Sequence, residues 1–124
     1  MRERLLTSKE LNQLMIDAIK LIDGDEKFLP KTDEFKGWSD LRIEIGPHGY
    51  EYIGSERGIE TFRNVPLDLD DLLYMVFKDV TSSMAWFFKY ESGQIEDDMG
   101  PVMFNKQIEL MERLSPKWAE RMKK

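Results

Sequence analysis

Between residues 68 and 90 the apolar positions Leu69, Leu72, Leu73, Val76, Phe77, Val80, Met84, Phe87 and Phe88 recur at helical spacing. At 100° per residue they fall on one side of an α-helix. Asp68 stands just before the first of them, where its side chain can accept an orphan N–H. Asp70 and Asp71 place negative charge at the positive end of the helix dipole. Tyr74, Lys78, Ala85 and Lys89 are left for the opposite face. A stripe this wide is not stable in water without a layer to cover it, so the remaining elements are expected to supply one.

Upstream, Thr7 and Glu10 stand at capping-box spacing. Leu11, Leu14, Met15, Ala18, Ile19 and Ile22 then share one face, which predicts a helix over 8–21 stopped by Asp23-Gly24. Residues 25–40 read mostly as loop, with Phe28, Leu29, Phe35 and Trp38 turned toward the core. Leu41-Arg42-Ile43-Glu44-Ile45 alternates as a half-buried strand does. Gly46-Pro47-His48-Gly49 turns the chain, Tyr50 to Ile53 is extended again, and Gly54 marks a bulge or a close approach. After a second turn at Ser55-Glu56-Arg57-Gly58, Ile59 to Arg63 forms a third strand. Phe104, Gln107, Ile108, Met111 and Leu114 outline another helix, and Ser115-Pro116 opens a short one through Trp118. The expected fold is α+β: a small antiparallel meander packed against three or four helices, as one domain over residues 1–124.

Composition narrows the function classes. The chain has no Cys, so disulfides, thiolate nucleophiles and zinc–thiolate sites are excluded together. A formal charge of −6, from 18 Lys and Arg against 24 Asp and Glu, disfavours phosphate backbones and favours a basic protein partner. The charged start at Met1-Arg2-Glu3-Arg4 has no signal-peptide pattern and no apolar run approaches membrane length, so a cytoplasmic protein without membrane contact is expected.

Catalysis finds little support. The single histidine, His48, sits in a turn sequence, with no serine in a nucleophile-elbow context. Asp68, Asp70 and Asp71 read as a cap and a solvated first turn rather than a metal site. No glycine-rich run opens a helix as a phosphate loop would. The expectation is therefore a protein that is not an enzyme, with no catalytic, metal or cofactor residues and no cofactor. Two surfaces remain as candidates for partner binding. One is the acidic loop after the central helix, with Glu91, Glu96, Asp97 and Asp98. The other is a line of Met75, Ser82 and Trp86 beside the main stripe. Tyr50, Tyr52, Ser55, Glu56, Arg57 and Gly58 form a polar hairpin motif with a structural role, in which Arg57 is expected to pair with Glu56 or Glu60 and Gly58 to hold a backbone conformation that penalises a Cβ.

The hairpin run Gly49-Tyr50-Glu51-Tyr52-Ile53-Gly54-Ser55-Glu56-Arg57-Gly58-Ile59-Glu60 resembles the tyrosine-rich Ser-Glu-Arg-Gly hairpin of the bacterial immunity protein 63 family. Asp70 to Thr81 is similar to that family's central helix. Phe104, Gln107, Leu110, Leu114 and Pro116 to Arg121 are similar to its C-terminal pattern, although the 94–100 loop is more acidic here. The resemblance implies a non-catalytic protein of polymorphic or contact-dependent toxin systems that binds a cognate toxin domain directly. From the charge we expect that toxin to be basic, as a nuclease would be. An adaptor that binds another protein is the alternative, and a small carboxylate-based hydrolase the third.

Overall fold

The computed structural model describes residues 5–32, 39–47, 49–91 and 100–124. In chain order it holds helix α1 (Ser8–Lys20), a 3-10 turn (Glu26–Phe28), strands β1 (Lys31–Thr32), β2 (Ser39–Gly46), β3 (Gly49–Glu56) and β4 (Ile59–Asn64), then helices α2 (Leu69–Glu91), α3 (Gly100–Leu114) and α4 (Pro116–Lys123). The fold is α+β, as the hydrophobic pattern implies. By its contacts the chain divides into two compact units: a sheet unit, Met1–Asp17 with Leu29–Val76, and a helical unit, Ala18–Phe28 with Phe77–Lys124.

In the sheet unit the strands run in the order β1-β2-β3-β4. The β2–β3 and β3–β4 pairs are antiparallel, the meander that alternation predicts. β1 is an addition. It pairs in parallel with β2 through Lys31 and Thr32, inside the stretch that reads as loop, because two residues are too few to show a period. Phe35, Trp38 and His48 lie outside the described residues. One face of the sheet is apolar, with Ile43 opposite Tyr52 and Ile45 opposite Tyr50. The Tyr50 hydroxyl accepts the Leu6 N–H at 2.9 Å, so this buried phenol has a polar partner. The Phe62 ring covers Gly54 and meets Tyr52 edge-on at 5.5 Å. A Cβ built on Gly54 would lie 2.2 Å from that ring, and the strand register shifts beside it. Gly54 is thus both a bulge and a close approach.

The β3–β4 connection is a two-residue turn, with Arg57 at φ 53° and Gly58 at φ 78°. Positive φ at both central positions is the type I′ geometry whose twist matches the flanking strands. Glycine takes it freely, whereas an L side chain there costs about 1–2 kcal/mol. Gly58→Ala should therefore lower stability by about 1–2 kcal/mol in urea unfolding, and Arg57→Asn should raise it by about 0.5–1 kcal/mol. An unchanged midpoint in either variant would contradict the turn assignment.

The helices begin as their capping sequences dictate. Thr7 and Glu10 form the reciprocal box, with N–H to side-chain bonds of 3.0 and 3.2 Å. Asp68 accepts the Asp71 N–H at 2.8 Å while Asp71 accepts the Leu67 N–H at 2.9 Å. Ser115 holds the N-cap position of α4 through its carbonyl, which accepts from Trp118 and Ala119. Its hydroxyl makes no cap bond. α4 runs on to Lys123, beyond the single turn expected, and α3 starts at Gly100 with Pro101 in its first turn.

In the helical unit Phe77 is fully buried and stacks on Trp118, with ring centroids 6.1 Å apart. Val80, Leu110, Met111 and Ala119 are buried with them. Gln107 of α3 donates to the Lys78 carbonyl of α2 at 2.8 Å. Two readings of α2 need correction. Tyr74 and Ala85, assigned to its open face, are buried. With Phe77 and Thr81 they are spaced by three, four and four residues, which makes a second covered line, so the helix is buried over more than one stripe. Phe87 and Phe88, assigned to the core by periodicity, are 42% and 43% exposed. Angle places them on the stripe, but near the end of the helix the stripe outruns the side chains that cover it.

Candidate functional site

α1 ends in a left-handed turn. Asp23 has φ 54°, its N–H donates to the Lys20 carbonyl, and the Gly24 N–H donates to the Ile19 carbonyl at 3.0 Å. This is the Schellman pattern with aspartate, not glycine, in the left-handed position. Gly24 is needed for another reason: a Cβ there would sit 2.6 Å from Ile19 and 3.1 Å from the Met84 sulfur. Asp25 then accepts the Lys27 N–H at 2.9 Å, which fixes the 3-10 turn that follows. The Phe28 ring meets Phe87 at 5.6 Å, and the Lys27 ammonium stands 5.4 and 5.6 Å from the two ring centres.

Between this turn, the end of α2 and one face of α3 lies an open groove of about 410 Å³. Its apolar lining is Ile22, Phe28, Met84, Phe87, Phe88 and Leu110. Three cations stand around it. Lys106 lies 4.8 Å from the Phe88 ring centre and pairs with Glu109 at 3.5 Å. Arg113 donates to the Leu21 carbonyl at 2.7 Å and approaches Asp23 at 3.4 Å. Lys27 makes no ion pair among the described residues. Trp86, 48% exposed, meets Phe87 edge-on at 5.2 Å, and Phe104 on α3 is 44% exposed. Half-exposed aromatics beside a groove are what binding surfaces display, since their large apolar area waits for a partner.

The sheet unit offers a different surface. Arg63 on β4 is the centre of a cross-strand cluster, with Glu51 and Glu60 each at 2.7 Å and Glu44 at 3.4 Å. Its hydrogen bonds to Glu60 hold that carboxyl below the usual range. Arg42 reaches Ser55 at 3.2 Å and Glu44 at 3.4 Å. These charges largely satisfy one another, so the face has less binding capacity to spare than the aromatic groove.

Met75 is half-buried in the sheet unit, and Trp86 belongs to the helical unit beside the groove. Glu91 is the last residue of α2, and its side chain, like Glu96, Asp97 and Asp98, lies outside the described residues. In the hairpin Tyr50, Tyr52 and Ser55 are buried, and Glu56, Arg57 and Gly58 are exposed. Arg63 instead of Arg57 takes Glu60, because Arg63 shares a sheet face with it whereas Arg57 sits in the turn. The sequence pattern assigns Phe28, Phe87 and Phe88 to the core and gives Lys27, Lys106 and Arg113 no role in a site. One signal was available: Trp86-Phe87-Phe88 is a run of three aromatics, and three successive helical positions cannot all face one core. Among the described residues no three His, Cys, Asp or Glu groups are placed to hold a metal ion, and no helix is long and apolar enough to cross a membrane.

A family profile described as immunity protein 63 matches residues 46–124. The chain belongs to that family. No match was found among curated proteins or among solved structures. The part of the chain matched to immunity protein 63 includes β3, β4 and α2 to α4. The groove walls on α2 and α3 therefore fall within the family's shared stretch, whereas the turn carrying Lys27 and Phe28 precedes it.

Proposed function

We propose that this immunity protein neutralises a cognate bacterial toxin domain by binding it directly, without turnover of its own, and that the aromatic groove of the helical unit is its principal contact. Membership of the immunity protein 63 family supports the toxin role. The observation that carries the site is the exposed run Trp86-Phe87-Phe88 beside a groove. Aromatic side chains are the commonest anchors of protein interfaces. The chain's charge of −6 suits a toxin with a basic surface, such as a nuclease of the polymorphic or contact-dependent kind, because opposite charge speeds encounter. In this reading the protein acts in the cytoplasm of the cell it protects, and Glu91, Glu96, Asp97 and Asp98 contribute to steering.

Co-expression with the toxin domain tests the function: growth should be rescued, and the two proteins should co-purify. An adaptor that binds some other protein would give neither result. Changing Asp97 and Asp98 together to Asn should slow association several-fold at low salt and converge with the parent at high salt, where screening removes steering. Equal association rates at low salt would take the loop out of the interface.

A further inference from the structure

The shape of the groove does not fix the chemistry of its occupant, but its charges constrain it. Resting on the toxin-binding reading, we propose that the groove receives an apolar side chain of the toxin flanked by a carboxylate, with the carboxylate set against Lys27. Neither of the groove's acids is held against the Lys27 ammonium: Asp23 approaches Arg113, and Asp25 accepts the backbone N–H of Lys27. Two of its cations are engaged: Arg113 donates to the Leu21 carbonyl and Lys106 pairs with Glu109. What remains is one ammonium, held 5.4 and 5.6 Å from the Phe28 and Phe87 ring centres, with no carboxylate partner among the described residues. A neutral apolar ligand would fill the floor and leave that cation, which among the described residues has only the two ring faces, without a counter-charge at a drying interface. A basic one would be repelled by it. An anion adjoining the apolar group answers both. This is a local preference beside a chain whose overall charge is negative: long-range steering follows the total, while the contact follows the groups within a few ångströms.

Two amidated peptides, one containing Leu-Phe-Asp and the other Leu-Phe-Lys, would be titrated into the full-length protein and followed by NMR shifts. The Asp peptide should bind up to about fivefold more tightly, as a half-exposed ion pair allows. It should move the Lys27, Phe28 and Phe87 signals, and Lys27→Glu should reverse the preference. Lys27→Met, which keeps the apolar stem, should bind the two peptides alike. Equal binding of both peptides to the parent, shifts confined to other residues, or no binding at all would overturn the proposal. With the toxin domain itself as probe, Lys27→Glu at an unchanged melting temperature should bind several-fold more weakly. Parent-like binding by that variant would overturn the groove chemistry and leave the immunity reading intact. If the parent itself failed to bind the toxin, the immunity reading would fall, and the peptide titrations would still decide the groove.

Discussion

Replacing Phe77 with Ala should lower the unfolding free energy by about 3–5 kcal/mol, the usual range for removing a buried phenyl ring. Phe77 is completely inaccessible, and its ring lies nearly parallel to that of Trp118, with 15° between the planes. The substitution removes apolar contact and leaves a void beside an indole held from α4. Neighbouring side chains can collapse only partly into such a space, which is why the cost exceeds the transfer term. Urea unfolding gives the free energy, and the near-ultraviolet circular dichroism of the tryptophans reports on the stack. A loss below about 1 kcal/mol would mean that the stack contributes little to the helical unit. Trp86→Ala is the control for stability, since its ring is already half in solvent.

Phe87→Ala should weaken toxin binding by about 2 kcal/mol or more, roughly thirtyfold, while costing much less in stability. Phe87 meets both Phe28, at 5.6 Å, and Trp86, at 5.2 Å, so its removal takes away the ring that these two aromatics share. Truncations at the centre of an interface are the costly ones because surrounding contacts exclude water from them. Calorimetric titration of the parent and the variant against the toxin domain would measure the difference. Met75→Ala belongs in the same series. Met75 is on α2 but in the sheet unit, so a loss of binding equal to that of Phe87→Ala would mean that the toxin also contacts the sheet unit. If Phe87→Ala binds as the parent does, the groove is not the contact.

What was legible in the sequence was whatever depends on near neighbours in the chain. The Thr7–Glu10 and Asp68–Asp71 caps, the β2–β3–β4 meander, the left-handed Gly58 and the wide stripe of α2 all follow from spacing, turn chemistry and the steric freedom of glycine. The family was legible too, through the hairpin and the residues after it. Other features were decided by what lies across space. β1 exists because Lys31 and Thr32 find a partner strand, which two residues cannot announce. Arg63 takes Glu60, Glu51 and Glu44 because strand register gathers them on one face. The groove depended most on tertiary structure. Helical periodicity gives Phe87 and Phe88 the angle of core residues, but burial also requires a covering layer at that height on the helix. There the close approach of Gly24, the Asp25 turn and α3 leave a cleft, so the same apolar spacing that builds the core at Phe77 leaves a binding surface at Phe87.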